Sequence, residues 1–67
     1  MNNKQPNPTK LAVREAEAAE MLGIAAKTLR NWRYMTPIKG PRPARVGRAV
    51  VYPIAEIEKY IDEHMIG

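Results

Sequence analysis

Two short apolar stripes of helical period, Ala18-Ala19-Leu22 and Leu29-Trp32, stand on either side of Gly23-Ile24-Ala25. A connection that short keeps the two helices in contact and makes them cross at a steep angle, so the arrangement of the middle of the chain is settled locally. The spacing predicts a first helix over residues 14–22, with Glu17 and Glu20 on the face opposite the apolar stripe. Ala16, Ala18 and Ala19 keep this helix thin and allow close approach of a neighbour, and Gly23 is its C-terminal stop. The second helix is expected over residues 26–35. At ~100° per residue Leu29 and Trp32 point one way, while Lys27, Arg30, Asn31 and Tyr34 point the other.

That outer face belongs to a wider asymmetry of charge. Residues 23–52 contain seven Lys/Arg and no Asp or Glu, and all seven acidic residues of the chain lie outside this window. The net charge of +4 therefore averages a basic middle with two acidic helices. A solvated helix face would be expected to include some carboxylates, and the second helix includes none. Two cations, an amide and a phenol on one helix face suit phosphates and base edges, Arg matching guanine and Asn adenine. The partner this implies is a polyanion, nucleic acid before any other.

Composition narrows the chemistry. At 67 residues the chain is one domain, close to the lower limit for folding without disulfides or metal. It has no cysteine and no serine, and its one histidine is His64, near the C-terminal end. A Ser/His or Cys/His nucleophilic pair cannot be assembled, so the chain is expected not to be an enzyme. No cofactor and no metal site are expected either. No apolar run approaches the roughly 20 residues that span a bilayer, and the first ten residues, polar with Pro6 and Pro8, do not form a signal peptide. The absence of cysteine suits a reducing cytoplasm, where the chain is expected. Residues 1–10 are read as a disordered arm and residues 11–67 as a single domain.

Downstream, residues 36–43 hold three prolines and Gly40, where regular structure pauses while Lys39 and Arg42 keep the segment positive. Two β-prone runs, Ala44-Arg45-Val46 and Ala49-Val50-Val51-Tyr52, then flank Gly47-Arg48 and predict a small hairpin. Val46, Val50 and Tyr52 are its expected inward residues. Pro53 opens a last helix with an Ile54, Ile57, Ile61 stripe flanked by Tyr60. Lys59 is spaced to pair with Glu56 or Glu63. Met65 and Ile66 extend the apolar character and are expected to cover the core, with a self-association patch as the alternative; His64 is expected on the surface.

The order helix, tight turn, helix, hairpin, helix is that of a small winged helix-turn-helix, mostly α with a small β-hairpin. Four segments carry the match: Glu17-Ala18-Ala19-Glu20-Met21-Leu22-Gly23-Ile24, Lys27-Thr28-Leu29-Arg30-Asn31-Trp32, Arg45-Val46-Gly47-Arg48, and Ile57-x-x-Tyr60-Ile61. Together these resemble the excisionase and MerR-like DNA-binding domains, including phage excisionases and AlpA-type regulators. The family usually caps its second helix with Ser or Thr where this chain has Ala25, and its link to the wing is generally shorter and poorer in proline. MerR regulators proper add a dimerisation helix and an effector domain, so ligand-sensing control is not expected here.

The resemblance implies a double-stranded DNA-binding protein whose second helix enters the major groove. Lys27, Thr28, Arg30 and Asn31 would be its base-edge or phosphate contacts and Arg33 a phosphate clamp. Arg45 and Arg48, about Gly47, would enter the adjacent minor groove. It further implies an excisionase, or recombination directionality factor, that bends attachment-site DNA beside a phage integrase and self-associates along the DNA. An AlpA-like transcription regulator is the alternative, and a basic protein-interaction module a more distant one.

Overall fold

The computed structural model describes residues 10–67, so the arm expected over residues 1–10 lies outside the described residues except for Lys10. The elements run β1 (Ala12–Arg14), α1 (Glu15–Leu22), α2 (Ala26–Arg33), β2 (Ala44–Val46), β3 (Ala49–Pro53) and α3 (Ile54–Glu63). The strands form one antiparallel sheet in the order β1-β3-β2. Both expected runs around Gly47 are present as β2 and β3, and the last helix begins directly after Pro53.

Two features differ from the sequence expectation at the start of the chain. Arg14 is the last residue of β1 and the N-cap of α1, so the first helix starts one position later than its apolar spacing suggests. The preceding strand has no signal of its own, being three residues long. It exists because Val13 pairs with Tyr52 across β3, and both side chains are excluded from solvent. The second helix also ends early, with Tyr34 as its C-cap, since the approach to the Pro37 region diverts the chain.

The turn between α1 and α2 is a Schellman motif. The amide of Ile24 donates to the carbonyl of Ala19 at 3.0 Å and that of Gly23 to Glu20 at 3.1 Å, which satisfies carbonyls that the end of α1 leaves free. Ile24 folds back as part of the apolar shell around the core. Ala18 and Ala19 are buried where α1 meets its neighbours, whereas Ala16, expected on the same flat face, is exposed.

The core is a single cluster of Val13, Ala18, Ala19, Leu29, Tyr52 and Ile57. Burying a side chain of the size of Leu29, Tyr52 or Ile57 contributes about 1.5–3 kcal/mol, so this small group supplies most of the apolar driving force. Trp32, Met21, Leu22 and Ile54 pack around it, partly exposed. Val46 departs from expectation and is 64% exposed. The reason is parity. Val46 pairs with Ala49 across a turn of two residues, which puts Val50 and Tyr52 on one face of the sheet and Val46 on the other. Met65 and Ile66 are likewise exposed, not part of the core, because α3 ends at Glu63 and carries the chain past the cluster.

The proline-rich link is organised by Trp32. The carbonyl of Trp32 accepts hydrogen bonds from Met35 at 3.2 Å and Lys39 at 3.1 Å, the Lys39 ammonium lies 5.0 Å from the centre of its ring, and Pro41 is buried. Gly40 meets the ring so closely that an added Cβ would lie 2.7 Å from Trp32 Cε3, and its φ is +89°. Gly47 also has positive φ, +62°, but with nothing within 4 Å. Gly47→Ala is therefore expected to cost about 1 kcal/mol from backbone strain alone. Gly40→Ala adds displacement of the indole and is expected to lower the urea midpoint distinctly further; equal losses in the two variants would contradict the Trp32 packing.

Candidate nucleic-acid interface

α2 is positioned by its inner residues. Leu29 is fully buried and Trp32 half-buried, which turns Lys27, Arg30, Asn31 and Tyr34 outward, all of them exposed. Thr28 is partly covered. At the start of α2, Ala25 makes no side-chain cap and the first turn carries no acidic residue. The amide groups there remain open to an anion, which the dipole of the helix favours. Arg30 and Arg33 sit in the last turn, where a positive charge complements the opposite end of that dipole.

The hairpin presents the second half of the site. Arg45, Val46, Gly47 and Arg48 are all exposed. Gly47 and Arg48 form the two-residue turn closed by the Val46–Ala49 pair. Only Gly47, the first of the two, has positive φ, which is the Gly-X pattern of a tight hairpin turn. Arg45 shares its sheet face with Val50, its partner across the strands. Both line a cleft of about 330 Å³ with Arg33 and Tyr34 of α2 and with Ile38, Pro43 and Ala44. The end of α2 and the base of the hairpin thus face one another across a shared concavity.

Tertiary folding returns one carboxylate to this basic surface. Glu15, the first residue of α1, accepts from Arg30 Nε on Oε1 at 3.5 Å and from Arg33 Nε on Oε2 at 3.3 Å. The two arginines are held to different degrees, since the Arg33 side chain is 19% exposed and that of Arg30 65%. Burial by itself would lower the pKa of Arg33, but the hydrogen bonds and charges of Glu15 and then Tyr34 together outweigh it and the net shift is upward. Its guanidinium also lies 4.7 Å from the centre of the Tyr34 ring. Sequence reasoning missed Glu15 because it lies 15 and 18 positions from its partners, far beyond helical pairing distance.

The remaining cations of the basic window turn elsewhere. Lys39 covers Trp32, and Arg42 lines a separate cleft with Glu56, Lys59, Tyr60 and Glu63. Lys59 forms no ion pair with either glutamate, although the spacing permits one. His64 is exposed at the C-cap of α3, its Nδ1 2.8 Å from the Tyr60 carbonyl. Among the described residues no group of three or more His, Cys, Asp or Glu is placed to hold a metal ion, and no helix is long and apolar enough to cross a membrane.

A family model described as a helix-turn-helix domain matches residues 14–65, which takes in α1, α2, the hairpin and α3. The chain belongs to the helix-turn-helix domain family. A comparison with curated proteins finds no match. The three helices and three-stranded antiparallel sheet of this helix-turn-helix domain form a small winged version of the fold, with β2, β3 and their turn as the wing. DNA binding is the activity that goes with it.

The Tyr52 hydroxyl sits beneath this surface, its pKa pushed up by burial and by the charge of Glu15, with Arg33 partly opposing. A tyrosine whose folded pKa is raised stabilises the fold fully below its unfolded value of about 10, and that contribution is lost as pH climbs through the folded value. The urea midpoint is therefore expected to fall more steeply above pH ~10 in the natural chain than in Tyr52→Phe. Parallel slopes would place the hydroxyl in an environment without these neighbours.

Proposed function

We propose that this helix-turn-helix domain is a sequence-specific double-stranded DNA-binding protein that acts as a phage excisionase, binding and bending attachment-site DNA beside an integrase. The observation that carries the DNA reading is the outward face of α2: Lys27, Arg30 and Asn31 are exposed together, and Arg45 of the wing shares a cleft with Arg33 and Tyr34 at the C-terminal end of the helix. In this reading α2 enters the major groove, with Lys27 and Thr28 beside the uncapped helix start and Arg30 and Asn31 reaching base edges. The wing tip, Arg45 and Arg48 about Gly47, enters the neighbouring minor groove, where the missing side chain of Gly47 lets the backbone approach a sugar edge. Arg33, expected as a phosphate clamp, has its side chain paired with Glu15 and largely covered, so in this docking it stands behind the row and supports it.

The role is binding and deformation of a duplex, without catalysis. Support for the excisionase assignment comes from the resemblance carried by the four segments described above. A physical argument adds to it. One domain of this size covers a short footprint, too little surface for high specificity alone. Several copies side by side on repeated sites overcome that limit, and a bent array beside an integrase favours excision over integration.

With five to seven phosphates engaged, log affinity is expected to fall against log salt concentration with a slope of roughly −4 to −6. Arg30→Ala should cost ~1–3 kcal/mol and relax sequence preference at one base pair. Arg48→Ala should weaken binding chiefly at A/T-rich flanks. Fluorescence anisotropy with labelled duplexes measures all three, and unchanged affinity in both variants would contradict this docking. Footprinting on the flanking genomic DNA tests the role: repeated sites inside a recombination attachment site support an excisionase, whereas one site overlapping a promoter supports an AlpA-like regulator. No binding at low salt would point to a protein-interaction module instead.

A further inference from the structure

We propose that Glu15 is a specificity-determining positioning residue of the DNA surface, orienting Arg30 for base reading and withholding Arg33 from the phosphates. The inference rests on the duplex-binding reading above and goes further by assigning a role to a carboxylate outside the recognition helix. Its two oxygens are divided, Oε1 to Arg30 and Oε2 to Arg33. Both contacts are made through Nε, so in Arg30 the outer Nη pair is left free of Glu15. With only its inner nitrogen engaged, at 3.5 Å, the guanidinium keeps that pair available for the two acceptors of guanine.

Arg33 plays the opposite part. With its side chain and that of Glu15 19% and 18% exposed, the pair is sheltered and weakly screened, so a phosphate must compete with a carboxylate already in place. Arg30, 65% exposed and at the longer distance of 3.5 Å, is free to take a base without leaving a buried charge behind. Electrostatically, Glu15 cancels one positive charge where α1 meets α2. That reduces attraction to any duplex while leaving the base-reading edge intact. The ratio of specific to non-specific binding rises as a result.

The test uses the full chain, a duplex selected from a random pool by the natural protein, and an unselected duplex of equal length. Glu15→Gln keeps an acceptor but removes the charge. It is expected to bind the unselected duplex ~3–10-fold more tightly, to steepen the salt slope by about one phosphate, and to lower the selected-to-unselected ratio. Glu15→Asp, which keeps the charge, should stay near the natural ratio and guards against a folding defect, with a thermal melt followed for each variant. Arg33→Met added to Glu15→Gln restores the natural net charge and should return the slope to its natural value while the selected-to-unselected ratio stays low, because Arg30 still lacks its carboxylate. A purely structural role would not separate the two readouts. A folded Glu15→Gln variant with natural slope and ratio would overturn the proposal, as would a Glu15→Gln and Arg33→Met double variant that regains the natural ratio. If the natural protein shifts neither duplex at low salt, the duplex-binding reading itself fails and this inference falls with it.

Discussion

Tyr52 is the residue around which the molecule closes. It lies on β3, the central strand, and is buried with Val13 of β1, Ala18 and Ala19 of α1, Leu29 of α2 and Ile57 of α3. Five of the six elements therefore contribute to one cluster, and β2 alone contributes nothing. Among the described residues no second buried cluster exists to hold an element that leaves the first, so folding of the helices and docking of β3 are one event. The wing tip is exempt. It is fixed by pairing to β3 and by its turn, so its residues are free to serve a partner without loss of core packing.

The position of the wing relative to α2 follows from a second constraint, the indole of Trp32. Its carbonyl and ring gather residues 35–41 into a wrap, and the approach of Gly40 leaves no room for a side chain. A link that looks loose from its prolines is in fact folded onto α2. The cleft between Arg33–Tyr34 and Arg45–Val50 is the outcome of that wrap. The spacing between α2 and the wing is thus determined by packing on the face of α2 that points away from the cleft.

Glu15 shows why a charge pattern along the chain does not describe a charged surface. The basic window is free of acids in sequence, yet the start of α1 brings a carboxylate against two of its arginines. Two other cations turn toward Trp32 and α3. What remains on the α2–wing side is a smaller and more ordered set: Lys27, Arg30, Arg45 and Arg48 exposed, with Arg33 held behind them. A surface so composed carries both exposed positive charge and a few side chains fixed by their neighbours.

Local pattern alone determined the helices of the helix-turn-helix, the Gly23 stop, the uncapped start at Ala25, the hairpin about Gly47 and the outward set Lys27, Arg30, Asn31 and Tyr34. Each of these depends on neighbours within a few positions, through helical period, turn chemistry or the conformation available to glycine. Only the tertiary structure decided the rest. β1 exists through a partner 39 positions away, Val13 against Tyr52. Val46 faces outward because a two-residue turn fixes the parity of the hairpin, and Met65 and Ile66 stay in solvent because α3 carries them past the core. Glu15 meets Arg30 and Arg33 only once α1 and α2 have crossed, since contacts between distant residues are set by packing and not by spacing along the chain.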